Sequence, residues 1–202
     1  MILVINAGSS SIKAAVFDDG AEVVRHAVDG IGTNQGPADH HVALDSLLAE
    51  LRDKGFALET LHAAGHRVVH GGEDLTAPTR ITDEVRGRIE ACVPLAPLHN
   101  PHNLAAIDAL ARLAPDLPQV ACFDTAFHAG MPERARRYAL PDRPETRAIR
   151  RYGFHGISYA AMVRTWRDVI GTDLPRRVLA TGYRQHAETC YQHSEYKVSH
   201  ES

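Results

Sequence analysis

The sequence predicts an α/β fold, on three observations. Residues 2–28 read as three consecutive strands separated by the short turns Ala7-Gly8 and Asp19-Gly20. Two more short apolar runs, 63–69 and 119–123, have strand length and abut Gly71-Gly72 and Asp124. Between and after them lie segments whose apolar residues recur at helical spacing.

Each element has its own warrant. ILVIN at 2–6, SIKAAVF at 11–17 and AEVVRHAV at 21–28 form the meander. Residues 29–37 are a Gly-rich polar loop. Over 42–54, Leu44, Leu47, Leu48 and Leu51 share a helix face, and Gly55 stops the run. Residues 83–92 suit a helix capped by Thr82 or Asp83. PLAPLHNPHN is a loop from which Asn100, as cap, and Pro101, at the first helical position, open a helix facing inward through Leu104, Ile107, Leu110 and Leu113. Short helices are expected at 132–138 and 156–169, and a further strand at 178–180.

Composition narrows the function. The chain has 202 residues, 44% of them hydrophobic and 23% charged, enough for a real core. A net charge of −3 argues against a general nucleic-acid binder. No apolar run approaches the about 18 residues of a membrane span, and the N-terminus lacks the pattern of a signal peptide. The 3 cysteines are scattered without a CxxC pair, which points away from a disulfide framework or a zinc site and towards a reducing cytoplasm. Lysine occurs only at 13, 54 and 197, so arginine carries most of the positive charge.

Several short blocks carry chemistry. Asn6 to Lys13 (NAGSSSIK) joins the first two strands. Its Gly and Ser residues let backbone amides face a phosphate, Lys13 adds a point charge, and Asn6 can hold a metal or its waters. A plain Ser-rich hairpin is the alternative; it is not a Walker A loop. GHRVVHGG, 65–72, sets Arg67 inside an apolar strand, where it needs an anion: a ligand, or a structural carboxylate. PLAPLHNP, 94–101, holds His99 beside a helix start, as a donor to an oxyanion or as a cap. FDTAFH, 123–128, puts Asp124 directly past a buried strand, where it can orient a metal, accept a proton or cap a turn. RYGFHG, 151–156, brackets His155 with glycines ahead of a helix. Histidines 26, 40, 41, 62, 186, 193 and 200 show no metal-ligand spacing and are read as surface or tail residues.

Taken in this order, VINAGSSSIK, GHRVVHGG, PLAPLHNP, FDTAFH and RYGFHG resemble the acetate kinase family, with propionate and butyrate kinases as near relatives; the likeness covers residues 1–180. The resemblance implies an actin-like, sugar-kinase-like (ribonuclease H-like) fold of two related α/β domains. It implies Mg²⁺-dependent (or Mn²⁺-dependent) transfer of the ATP γ-phosphoryl group to acetate, giving acetyl phosphate, by a cytoplasmic homodimer that engages neither nucleic acid nor membrane. It assigns Asn6 to the metal, and Lys13, Ser9 and Ser11 to the ATP phosphates. Arg67 would bind the substrate carboxylate, and Val69, Leu98 and Phe154 would surround the methyl group, Val69 leaning towards acetate. Asp124, His155 and His99 would be catalytic. Because acetate, with a carboxyl pKa of roughly 4–5, is already ionised at neutral pH, Asp124 is better suited to orient Mg²⁺ or its waters than to act as a base.

The sequence departs from the pattern in two places. After RYGFHG the family usually reads Thr-Ser-His, whereas this chain has Ile157-Ser158-Tyr159. The second Gly-rich phosphate loop and adenosine pocket of the family are also missing. The expected organisation is an N-terminal domain over 1–150 on the acetate side of the cleft, the start of a second domain over 151–180, and a non-family tail over 181–202 that is disordered or frameshifted. Such a chain is expected to be a truncated acetate kinase, inactive alone. A non-catalytic anion-binding remnant, or a propionate or butyrate kinase, is the alternative.

Overall fold

A computed structural model describes residues 1–176, 178–181 and 197–199. The chain divides into two units, Met1–Tyr159 and Ala160–Ser202.

The first unit is built on a six-stranded sheet. The meander is β1 (Ile2–Ala7), β2 (Ser11–Asp18) and β3 (Ala21–Asp29). Helix α1 (His40–Asp53) follows, then β4 (Ala63–Val68), β5 (Thr79–Arg80), α2 (Asp83–Ala91), α3 (Asn100–Leu113) and β6 (Gln119–Phe123). The spatial order is β3-β2-β1-β4-β6-β5. β1, β4 and β6 run parallel, while β2, β3 and β5 join their neighbours antiparallel. The helical crossovers between β1, β4 and β6 are what a parallel sheet requires.

Side-chain alternation sorts the sheet into two faces. Leu3, Ile5, Ile12, Ala14, Val16 and Ala64 are buried with Leu44, Leu47 and Leu51 of α1 and Leu110 of α3. Next to them, Val68, Ala121 and Phe123 pack with Val85 and Ile89 of α2 and with Leu104 and Ile107 of α3. On the opposite face Ile2 and Val4 remain 48% and 40% exposed, while Asn6, Lys13, Arg67 and Cys122 are partly buried.

Helix starts follow local chemistry. Asp39 caps α1, accepting from the amides of His41 and Val42 at 2.8 and 3.0 Å. Thr82 caps α2 through the Val85 amide. Two expectations need correction at α3. Its cap position is His99, and Asn100 is its first residue, because the Asn100 carboxamide is spent on the backbone of His70, past the end of β4. Leu113 is 47% exposed, whereas Leu104, Ile107 and Leu110 are buried. The two-residue β5 had no sequence signal.

After β6 come a 3-10 turn (Ala126–Gly130) and the single-turn helices α4 (Glu133–Arg136) and α5 (Pro144–Arg147). Helix α6 covers Gly156–Ile170. In the second unit β7 (Leu179–Thr181) pairs antiparallel with β8 (Lys197–Ser199). The expected non-family tail, apart from Thr181 and β8, lies outside the described residues, as do His186, His193 and His200.

Candidate active site

The C-terminal ends of the parallel strands bring three predicted site residues into direct contact. Arg67, near the end of β4, turns its guanidinium onto Asp124, just past β6. Nε donates to both carboxylate oxygens at 3.2 and 3.1 Å, and Nη2 donates to Oδ2 at 2.6 Å. Nη1 donates to Oδ1 of Asn6, on β1, at 3.1 Å. The register explains the meeting: Arg67 lies beside Cys122 of β6, and Asn6 follows Ile5, the partner of His66. Asp124 is 2% exposed, so its charge is neutralised within the protein. The Arg67 side chain is 30% exposed and reaches solvent from the same pair. The structural carboxylate considered for Arg67 is thus present, and it is another site residue.

Lys13 sits opposite Asn6 in the β1–β2 ladder, at the edge of this cluster. The turn between these strands closes with the Gly8 amide on the Ser11 carbonyl at 2.8 Å, and Ser9 is exposed at its tip. His40 fixes the turn from below, and here the surface assignment is overturned. His40 is 7% exposed, donates from Nε2 to the Gly8 carbonyl at 2.7 Å, and stacks on His102 with ring centres 4.6 Å apart. It lies at the buried start of α1, which periodicity of the leucines alone did not reveal.

Two buried carboxamides on α3 align the strand ends. Asn103 accepts from the Val69 amide at 3.1 Å and donates to the Ala7 carbonyl at 2.8 Å. Asn100 accepts from the His70 amide at 3.1 Å and donates to the His70 carbonyl at 3.0 Å. The hydroxyl of Thr125 accepts from the Gly71 amide at 3.1 Å. Val69, buried, is positioned by these bonds; Leu98, on the loop before α3, is 72% exposed. His99 is exposed at the mouth of α3. Sequence reading missed Asn103, and Asn100 beyond its helix start. Their partners at the strand ends lie 30 to 96 residues away, where no periodicity or short motif points.

His155 is exposed and precedes α6 with φ of 56°, a left-handed conformation rare for a residue with a Cβ. The Gly156 amide donates to the Asp124 carbonyl at 2.8 Å, which ties this loop to the Arg67–Asp124 pair. A Cβ at Gly156 would collide with that carbonyl, so glycine is required there. Phe154 is 41% exposed and meets the buried His70 ring edge-on at 5.8 Å. Tyr159, at the point of departure from the family pattern, stacks on Phe127 and meets His128 edge-on. Two buried histidines of GHRVVHGG are held neutral. Burial pushes His70 below its usual pKa, and its Nδ1 accepts from the Gly72 amide. Burial pushes His66 down to about 4, only partly opposed by the neighbouring Gln119.

The oxygen donors of this cluster that could serve a divalent cation are Asn6 Oδ1 and the Asp124 carboxylate. Both suit a hard ion such as Mg²⁺, but both are engaged by Arg67. Among the described residues no group of three or more His, Cys, Asp or Glu side chains could hold a metal. As arranged, these residues suit ordering the water shell of a divalent ion better than caging it.

The parallel β1-β4-β6 core flanked by the β2–β3 meander, with polar residues gathered at the strand ends, is the actin-like fold of acetate and propionate kinases. The chain belongs to the acetokinase family, whose model matches residues 1–178. It is 45% identical to acetate kinase of Streptomyces coelicolor over 193 residues, covering 84% of this chain and 47% of that protein. Acetate kinase of Porphyromonas gingivalis superposes with a TM-score of 0.76 and 35% identity, covering 90% of this chain and 52% of the other. A propionate kinase from Francisella tularensis superposes with a TM-score of 0.80 and 32% identity, covering 89% and 51%. The chain spans about half the length of the curated relatives it matches.

Proposed function

We propose that this chain is the acid-binding portion of an acetate kinase, which moves the γ-phosphoryl group of ATP to acetate and back. The observation that carries the reading is the Asn6–Arg67–Asp124 cluster at the strand ends of an acetokinase-family fold. Asp124 and Asn6 fix the plane of the Arg67 guanidinium, whose fork suits a carboxylate. The acetate nucleophile needs no base, so positioning and charge neutralisation carry the step. Lys13 and the Ser9–Ser11 turn would face the ATP phosphates, and His99 and His155 would donate to the transferring group from the mouths of α3 and α6. Val69, Leu98 and Phe154 would surround the methyl group. Magnesium (or manganese), when bound with the nucleotide, supplies further neutralisation of phosphate charge, with Asn6 and Asp124 ordering its waters. The reading carries with it a cytoplasmic homodimer with acetate and ATP as its ligands.

The test is an acetate titration of the chain, followed by ¹³C NMR of labelled acetate, with hydroxylamine trapping of acetyl phosphate in the presence of Mg²⁺-ATP. Saturable acetate binding supports the reading, and trapped hydroxamate extends it to turnover. Saturable binding without hydroxamate favours a non-catalytic anion-binding role for this chain. Absence of carboxylate binding overturns both. The Francisella neighbour makes propionate the second acceptor to titrate; tighter propionate than acetate binding would move the assignment to the longer acid.

A further inference from the structure

We infer that His128 is a positioning residue that locks the Phe154–His155 segment in place; as a role in carboxylate chemistry this rests on the reading above. His128 ends the FDTAFH block, and none of the roles assigned so far uses it. Its Nε2 is 3.0 Å from the Phe154 carbonyl. A carbonyl only accepts, so Nε2 carries the proton and donates. One face of the ring lies against Gly153, where a Cβ would collide with the imidazole. Its edges meet Phe127 at 5.2 Å and Tyr159 at 5.6 Å between ring centres. The ring therefore has a single seat.

The consequence falls on the next residue. His155 holds φ of 56°, which costs an ordinary side chain strain and persists only when its surroundings enforce it. Two bonds flank it: the Phe154 carbonyl is held by His128, and the Gly156 amide by the Asp124 carbonyl at 2.8 Å. Asp124 and His128 lie on the same short segment after β6, so that one segment grips the loop on both sides of His155. Releasing the His128 grip lets His155 relax and Phe154 turn, while Arg67 keeps its own partners, Asp124 and Asn6.

Two variants separate the hydrogen bond from the ring. His128→Phe keeps an aromatic ring without a donor; His128→Gln keeps a donor near the Nε2 position without the ring. The readout is amide hydrogen exchange at Gly156 in the full chain, with Ala64 in the sheet as control for global folding. Protection of Gly156 at least tenfold lower in the Phe variant than in the Gln variant supports the lock. Equal protection in the two, high or low, overturns it, as does greater protection in the Phe variant. Acetate titration of the wild-type chain is run alongside. If acetate fails to bind, the carboxylate reading falls, and the exchange comparison still decides whether His128 holds the loop.

Discussion

At the scale of single residues, Arg67 serves two ends. It compensates a buried carboxylate and offers a guanidinium to solvent. Arg67→Ala should weaken acetate binding at least tenfold and lower stability by about 3 kcal/mol, because Asp124 stays buried without its counter-charge. Arg67→Lys should recover stability more than affinity, since an ammonium restores charge without the two-pronged geometry. Titration and thermal melts check both; unchanged acetate affinity in the Ala variant would remove the carboxylate role. His66 sets an acid limit. Its ring is neutral in the fold down to about pH 4, whereas an unfolded histidine takes up a proton near pH 6.5. Protons therefore favour the unfolded chain across this window. Stability should fall by about 3 kcal/mol as pH drops from 7 to 4, and little further from this group below that. Denaturant melts along a pH series measure it, and a folded His66→Leu variant should lose this part of the slope.

At the scale of elements, α3 acts as a splint. Asn103 joins the carbonyl at the end of β1 to the amide just past β4, and Asn100 holds the next peptide. Asn103→Ala should cost about 2–3 kcal/mol, because a buried amide and a buried carbonyl both lose their partner. It should also loosen acetate binding through Val69 while leaving the Arg67–Asp124 bond intact. Chemical denaturation measures the first effect, and a cost below about 0.5 kcal/mol would show that water replaces the carboxamide. This element also shows what a sequence can disclose. The Leu104, Ile107 and Leu110 face was legible because burial on a helix repeats with the turn. The meander was legible because burial on a strand alternates. Arg67 was legible as a charge that an apolar strand does not hold without a partner, Asn6 and Asp124 as polar groups at strand ends, and His155 as an imidazole bracketed by glycines. Their mutual contacts, and the roles of His40, Asn100, Asn103 and His128, were not, since each depends on a partner fixed by tertiary packing.

At the scale of the whole molecule, the sheet has unequal faces. One is covered by α1, α2 and α3; on the other, Ile2 and Val4 of a central strand stay close to half exposed. Exposed apolar strand surface promotes association. Replacing Ile2 and Val4 together with threonine keeps strand propensity. It should reduce anilinonaphthalene sulfonate fluorescence and the tendency to associate, with a melting temperature within about 3 °C of the parent. A large loss of melting temperature would mean that these side chains already pack.

The Arg67–Asp124 pair spans 57 residues of sequence, Arg67–Asn6 spans 61, and Asn103–Ala7 spans 96. On a ribosome, the β1–β3 meander can close while the rest of the chain is still being made. Arg67, by contrast, emerges long before its carboxylate does. Until β6 has followed, β4 presents a charged side chain and an unsatisfied edge to whatever is nearby. The contacts that make the site therefore close only after long stretches of chain have been made, which places them among the slower steps of folding.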